Sequence, residues 1–181
     1  RDPLDVMLDL GLEEDLATTF IGRFLNVGDE GVGRLLQHES GVVALSDAGA
    51  HLIFMCDAGF GLHFLSHWVR DRGEFSLSEG VRRLTSHPAD FYGISDRGRI
   101  AMDLPADFLL FDADRVGVSP PERVSDLPGG GRRTIRRPVG VHGVYVNGIE
   151  VYGGNGYASL DSGPGQVLDG FSPSRNNRAT A

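Results

Sequence analysis

The run Val144-Tyr145-Val146-Asn147-Gly148-Ile149-Glu150-Val151-Tyr152 leaves the backbone little choice. Two stretches of β-branched and aromatic residues flank an Asn-Gly pair. A two-residue type I′ hairpin loop needs positive φ at both central positions, and Asn and Gly are the residues that accept it. A β-hairpin is therefore predicted over 144–152. Just upstream, "ADFLLF" at 106–111 is apolar and strand-like and stops at Asp112. Between them, 117–140 reads as a connection rich in Pro, Gly and Arg, with Gly129-Gly130-Gly131 inside it. From Asp169 onward the chain carries little apolar content, and residues 169–181 are expected to be a disordered tail.

Upstream of residue 97 the periodicity is helical. Leu4, Met7, Leu8, Leu12, Leu16 and Phe20 recur at helix-like intervals behind Asp2-Pro3, a cap followed by proline at the first helical position. Residues 3–37 are read as helix, interrupted by a turn at Asn26-Val27-Gly28-Asp29, with the acids Asp5, Asp9, Glu13, Glu14 and Asp15 on a solvated face. Phe60 to Arg70 is a further helix. Ser76-Leu77-Ser78-Glu79 has the capping-box pattern and opens another, predicted to end near His87-Pro88. Between these helices, Val42 to Leu45 is a short apolar run suited to a strand buried on both faces. Helix, buried strand, loop, helix, helix is an α/β order.

That strand ends abruptly in "GVVALSDAGAH": an acid, a small glycine-containing turn and a histidine. Active sites of α/β barrels gather at the C-terminal ends of parallel strands. Asp47 is thus either a turn cap or a metal-ligating or proton-transferring group, and pattern alone leaves both open. His51, four residues on, is either a backbone-bonded histidine or a substrate-facing one that steadies the Asp47 loop. His63 and His67 share a helix face but lack the intervening glutamate of H-E-x-x-H, so a structural or surface role is expected. The arginines at 132, 133, 136 and 137 read as a solvated loop. Gly59-Phe60-Gly61 and the triple glycine lack the strand-then-helix setting of a phosphate loop. No G-x-S-x-G occurs.

The net charge of −8 excludes sequence-independent nucleic-acid or anionic-membrane binding as the expected role. No apolar run reaches the roughly 18 residues of a membrane span. Cys56 is the sole cysteine, which allows no internal disulfide and fits a reducing, cytoplasmic setting. The opening Arg1-Asp2-Pro3 is neither a signal peptide nor an initiator methionine, and reads as the middle of a longer product.

Four segments taken together, "LSDAGAHL" at 45–52, "LTSHPADFYGISDRGRIAMDLPADFLLFDADRV" at 84–116, "DLPGGGRR" at 126–133 and "VYVNGIEV" at 144–151, resemble the C-terminal third of the amidohydrolase superfamily in its N-acyl-D-amino-acid deacylase branch. The resemblance implies the C-terminal part of a distorted (β/α)8 metal-dependent hydrolase barrel followed by strands of a small β-sandwich. Residues 1–97 would be the final barrel elements, and 98–168 the sandwich strands. It implies zinc, as one or two divalent metals in the complete protein, with Asp47 as metal ligand and general acid/base. A free carboxylate (pKa about 3.9) and bulk water (about 15.7) are roughly 12 units, or about 16 kcal/mol, apart. A bound zinc that brings its water to about 7 narrows this to about 4 kcal/mol. On this reading Asp47 takes the proton from the attacking water and returns it to the leaving amine.

The family's His-x-His pair does not occur anywhere in this chain, and the bridging ligand and two further histidines also lie outside it. A catalytic zinc wants about three protein ligands, and Asp47 supplies one. The polypeptide alone is therefore expected to be inactive. Some D-aminoacylases carry an arginine after the strand-end aspartate that binds the substrate carboxylate. Here "HLIFMCDAGFGLHFL" holds none before Arg70, which leaves His51 as the candidate substrate contact. The expected substrate is a small N-acylated amino acid or similar amide. The alternatives are a non-catalytic structural or assembly segment, a degenerate amidohydrolase, or another class such as a cyclic amidase or deaminase. Unpaired strand edges would call for the missing N-terminal barrel segment, a partner chain or a swap, so a homo-oligomer is among the expected partners.

Overall fold

The computed structural model describes residues 1–20, 22, 26–44, 46–50, 52–169 and 171. The tail expected from 169 thus lies outside the described residues except for Asp169 and Phe171. The chain divides into two compact units, Arg1–Leu35 and Leu36–Ala181.

In the first unit, helix α1 (Pro3–Glu13) begins as the sequence requires. Asp2 accepts a hydrogen bond from the Leu4 amide at 2.7 Å, and Pro3 occupies the first turn. It does not run on to Phe20. Asp15 and Leu16 adopt φ of 50° and 61°, and the Leu16 amide closes onto the Gly11 carbonyl at 2.7 Å. This left-handed reversal ends the helix although the apolar spacing continues. Leu12 and Leu16 remain exposed, so periodicity here does not report burial. Helix α2 (Asp29–Gln37) follows the predicted turn.

The second unit holds the core. Helix α3 (Phe60–His63) runs directly into a π-helical stretch, Phe64–Asp71, whose Phe64, Leu65, Trp68 and Val69 are buried. Phe75 meets Phe64 with ring centroids 5.2 Å apart. Ser76 caps α4 (Leu77–Leu84) by accepting from the Glu79 amide at 3.2 Å, as predicted. The reciprocal half of the capping box is absent, because the Glu79 carboxylate faces Arg82 and Arg83 instead. A break at Thr85 (φ −128°, ψ −88°) separates α4 from α5 (Ser86–Tyr92). His87-Pro88 lies inside α5, and does not end α4 as expected. Pro88 falls in the first turn, where its missing N–H has no carbonyl to serve.

No strand forms over 41–44, which is half-buried rather than enclosed, and Leu45 lies outside the described residues. A strand needs a neighbouring backbone to take its N–H and C=O groups, and none of the described strands pairs with this segment. Arg83 takes over part of that role. Its guanidinium is only 2% exposed, and it donates to the carbonyls of Gln37 and His38 at 2.9 Å each and to Glu39 and Glu79 at 2.9 and 2.8 Å. His87 Nε2 donates to the Gly41 carbonyl at 2.7 Å.

All described strands pair antiparallel. The largest sheet has the order β1 (Phe108–Phe111), β6 (Val141–Val146), β7 (Ile149–Gly153), β8 (Gly156–Tyr157). The β6–β7 turn is the predicted hairpin, with φ of 48° at Asn147 and 79° at Gly148. β2 (Gly117–Val118) pairs with β5 (Pro138–Val139), and β3 (Glu122–Leu127) with β4 (Gly131–Ile135). The region read as a connection is thus largely a second hairpin, turned at Gly129 and Gly130 with φ of 72° and 73°. Helices and strands together give a mixed chain of the α/β class.

Two stability predictions follow from the Arg83 cluster. Arg83→Met would leave the Gln37 carbonyl without its side-chain donor and take one donor each from the His38 carbonyl and the Glu79 carboxylate, which keep Gly41 and Arg82, and is expected to cost about 1–3 kcal/mol by urea unfolding. Arg82, and then Arg83, hold the Glu79 carboxyl down to about 2, from its ordinary 4.5. The unfolded chain therefore binds the extra proton first. Glu79 contributes fully above about pH 5, and its contribution fades as pH falls toward 2. At its partial exposure this is about 1–2 kcal/mol. Glu79→Gln should flatten the melting-temperature profile over that window, and an unchanged profile would contradict the assignment.

Candidate functional site

Asp47 sits in a tight turn. The Ala50 amide donates to the Asp47 carbonyl at 3.2 Å, and the Ala48 amide to Ser46 Oγ at 3.1 Å. Local capping of the Ala48 amide thus falls to the serine before Asp47. Asp47 has φ of 50°, in the left-handed region where a side chain other than glycine is uncommon, and the residue is exposed. Gly49 completes the turn with φ of 98°. His51, the second predicted site residue, lies outside the described residues.

The chain well before this turn and just after it is held by different elements. On the incoming side, α4 and α5 grip residues 37–41 as described above. On the outgoing side, the buried Thr134 of β4 donates its amide to the Leu52 carbonyl at 2.5 Å and its hydroxyl to the Ile53 carbonyl at 3.3 Å. Neither partner is near Thr134 in sequence, and no motif pointed to it.

The other candidates make contacts elsewhere. The rings of His63 and His67 stack 5.1 Å apart, nearly parallel at 9°, and His67 meets Trp68 edge-on at 5.0 Å. Among the described residues, no three or more His, Cys, Asp or Glu side chains gather to hold a metal ion. Arg133 of the predicted basic loop forms a two-pronged pair with Asp126, both contacts 2.7 Å, and this holds the Asp126 carboxyl below its usual range. Arg137 pairs with Glu122 at 3.1 Å. An apolar cavity of about 200 Å³, lined by Leu62, Leu109, Val144 and Tyr152 among others, has no acid or histidine in its wall and does not include Asp47.

Two of the segments that carry the resemblance, 84–116 and 144–151, are tied to one another. Arg97 bridges Asp107 at 2.6 Å and Asp96 at 2.7 Å, and Asp107 accepts the Asn147 amide at 2.6 Å. Arg99 pairs with Asp90 at 2.7 Å, which keeps the Asp90 carboxyl low. Gly98, between the two arginines, has φ of 81°, and a Cβ there would lie 2.8 Å from the Thr85 carbonyl oxygen.

A model described as the amidohydrolase family matches residues 12–152. The chain belongs to that family. Among its relatives, the N-acyl-D-aspartate deacylase of Alcaligenes xylosoxydans xylosoxydans is 28% identical over 180 residues, covering 93% of this chain and 32% of the relative. The N-acyl-D-glutamate deacylase of the same organism is 32% identical over 142 residues, covering 76% of this chain and 26% of the relative. A solved D-aminoacylase mutant in complex with CuCl2 superposes with a TM-score of 0.54 at 24% identity, over 74% of this chain and 26% of that one, a likeness of fold. The chain thus spans about a third or less of the length of these relatives. No helix among the described residues is long and apolar enough to cross a membrane.

The left-handed backbone at Asp47 makes a stability prediction separate from any activity. Asp47→Gly is expected to keep unfolding stability within about 1 kcal/mol of the parent, since glycine pays no steric cost at this φ. Asp47→Val, branched at Cβ, is expected to lose about 1–2 kcal/mol relative to the glycine variant. Equal stabilities in urea would contradict the turn geometry.

Proposed function

We propose that this amidohydrolase-family chain is the C-terminal segment of a hydrolase acting on the amide C–N bond of N-acyl (D-)amino acids or similar small amides. On this reading residues 1–97 are the last elements of a (β/α)8 barrel and 98–168 are strands of a β-sandwich. Asp47 is the catalytic carboxylate, and His51 contacts the substrate. The observation that carries the reading is the Asp47 turn: an exposed acid in a left-handed conformation, within the segment 45–52 that resembles the family. The deacylase relatives support the choice of an acylated amino acid.

One carboxylate is not a metal centre, and the described residues alone do not fit one. The whole protein is proposed to take one or two divalent metals, zinc in the first instance. Their remaining ligands would come from polypeptide outside the described residues, as the greater length of the relatives allows. When bound, such a metal supplies charge stabilisation and an acidified water. The task left to Asp47 is proton transfer. Its carboxylate accepts a proton from the attacking water, holds it while the C–N bond breaks, and delivers it to the departing amine nitrogen.

In the complete enzyme, assayed on matched N-acetyl-D- and N-acetyl-L-amino acids, Asp47→Asn is expected to lower kcat by about 10²–10⁴-fold with folding intact. Retained activity would overturn the role of Asp47, and turnover of neither substrate series by the parent enzyme would overturn the substrate class. The 181-residue chain by itself is expected to bind no stoichiometric zinc, which elemental analysis after desalting checks.

A further inference from the structure

We infer that Thr134 is a positioning residue for the Asp47 turn. It acts from the second strand of the β3–β4 hairpin by holding the carbonyls of Leu52 and Ile53. The inference rests on the reading of Asp47 as the catalytic carboxylate. Thr134 is 4% exposed, on strands otherwise mostly exposed or half-buried. Its two donors address two successive carbonyls, the amide reaching Leu52 at 2.5 Å and the hydroxyl Ile53 at 3.3 Å. Leu52 lies five residues after Asp47, so the hairpin holds the chain just beyond the turn.

The side chain is specified by this task. Serine would keep the hydroxyl donor. Valine would keep the shape and the amide but leave the Ile53 carbonyl without its donor. Nothing else about the hairpin needs a hydroxyl at 134, because its pairing runs through backbone groups and through Arg133–Asp126 and Arg137–Glu122. Displacement of a catalytic group by about 1 Å can cost on the order of 10²-fold in rate. A loosened anchor a few residues away should cost less.

The test uses the complete enzyme with Thr134→Val, Thr134→Ser and Asp47→Asn assayed side by side. Thr134→Val is expected to lower kcat about 3–10-fold, with KM within twofold and an unchanged pH profile, and Thr134→Ser to restore kcat to within twofold. Unchanged kcat in a folded Thr134→Val protein, or an equal loss in Thr134→Ser, overturns the positioning role. Asp47→Asn separates the two claims. If it retains activity, the catalytic reading itself fails. If it is inactive while Thr134→Val matches the parent, only the positioning role fails. Should Thr134→Val fail to fold, hydrogen exchange on the unsubstituted enzyme decides. The Thr134 amide is expected to be protected at least about 100-fold over the random-coil rate, and free exchange there overturns the inference.

Discussion

The path to Asp47 depends on one buried guanidinium. Beyond the end of α2, residues 38–41 pair with none of the described strands, and Arg83 supplies donors in their place. It reaches the carbonyls of Gln37 and His38 while Glu79, one turn earlier on its own helix, balances its charge. Planar, multi-donor arginine can serve two carbonyls and two carboxylates at once, which a lysine could not match in geometry. His87 extends the same grip to Gly41. A carbonyl only accepts, so Nε2 carries the proton, and Nδ1 is left to accept from Arg82 at 3.4 Å. A pair of short helices thus does for this segment what a neighbouring strand would do in a sheet.

The same substitution of side chains for ladder appears where the helical region meets the sheet. Asp107 receives Arg97 on one side and the backbone amide of Asn147 on the other. The type I′ turn, local by its own chemistry, is thereby fastened to the loop before β1. Gly98 lets that loop pass beneath the Thr85 carbonyl, at the break between α4 and α5. Residues that make the sequence recognisable over 84–116 are therefore mostly explained by packing and charge pairing, and Asp47 lies elsewhere, as an exposed acid in a turn.

Features whose cause is local were legible in the sequence. Asn147-Gly148 dictates its own turn, and Ser76 caps the helix that follows it, because each effect spans only a few residues. Features with a distant cause were not. The β3–β4 hairpin was missed because "ERVSDL" and "GRRTI" lack an alternating apolar face. Their pairing is carried by backbone and by arginine–carboxylate contacts. The α1 stripe suggested a longer helix, but two left-handed residues override periodicity at no cost to the pattern. For Val42 to Ala44, an apolar run proved insufficient to make a strand without a partner. Asp47 was legible as an acid ending an apolar run. Thr134, whose acceptor at Ile53 lies 81 residues away, left no trace in the sequence.

The conformation of Asp47 follows from this division. A left-handed non-glycine residue stores about 1 kcal/mol or more, which an unrestrained loop would release by relaxing to an ordinary basin. Each ordered hydrogen bond contributes about 1 kcal/mol net. The turn is closed at Ala48 and Ala50, and the chain is anchored before it through Arg83 and His87 and after it at Leu52 and Ile53. The two bonds that close the turn itself are of the size needed to offset the strain. The chain on either side of that unusual backbone angle is held by elements from both the helical and the β regions. That coupling gives an exposed turn a defined geometry without burying its carboxylate, and burial would cost that carboxylate its charge.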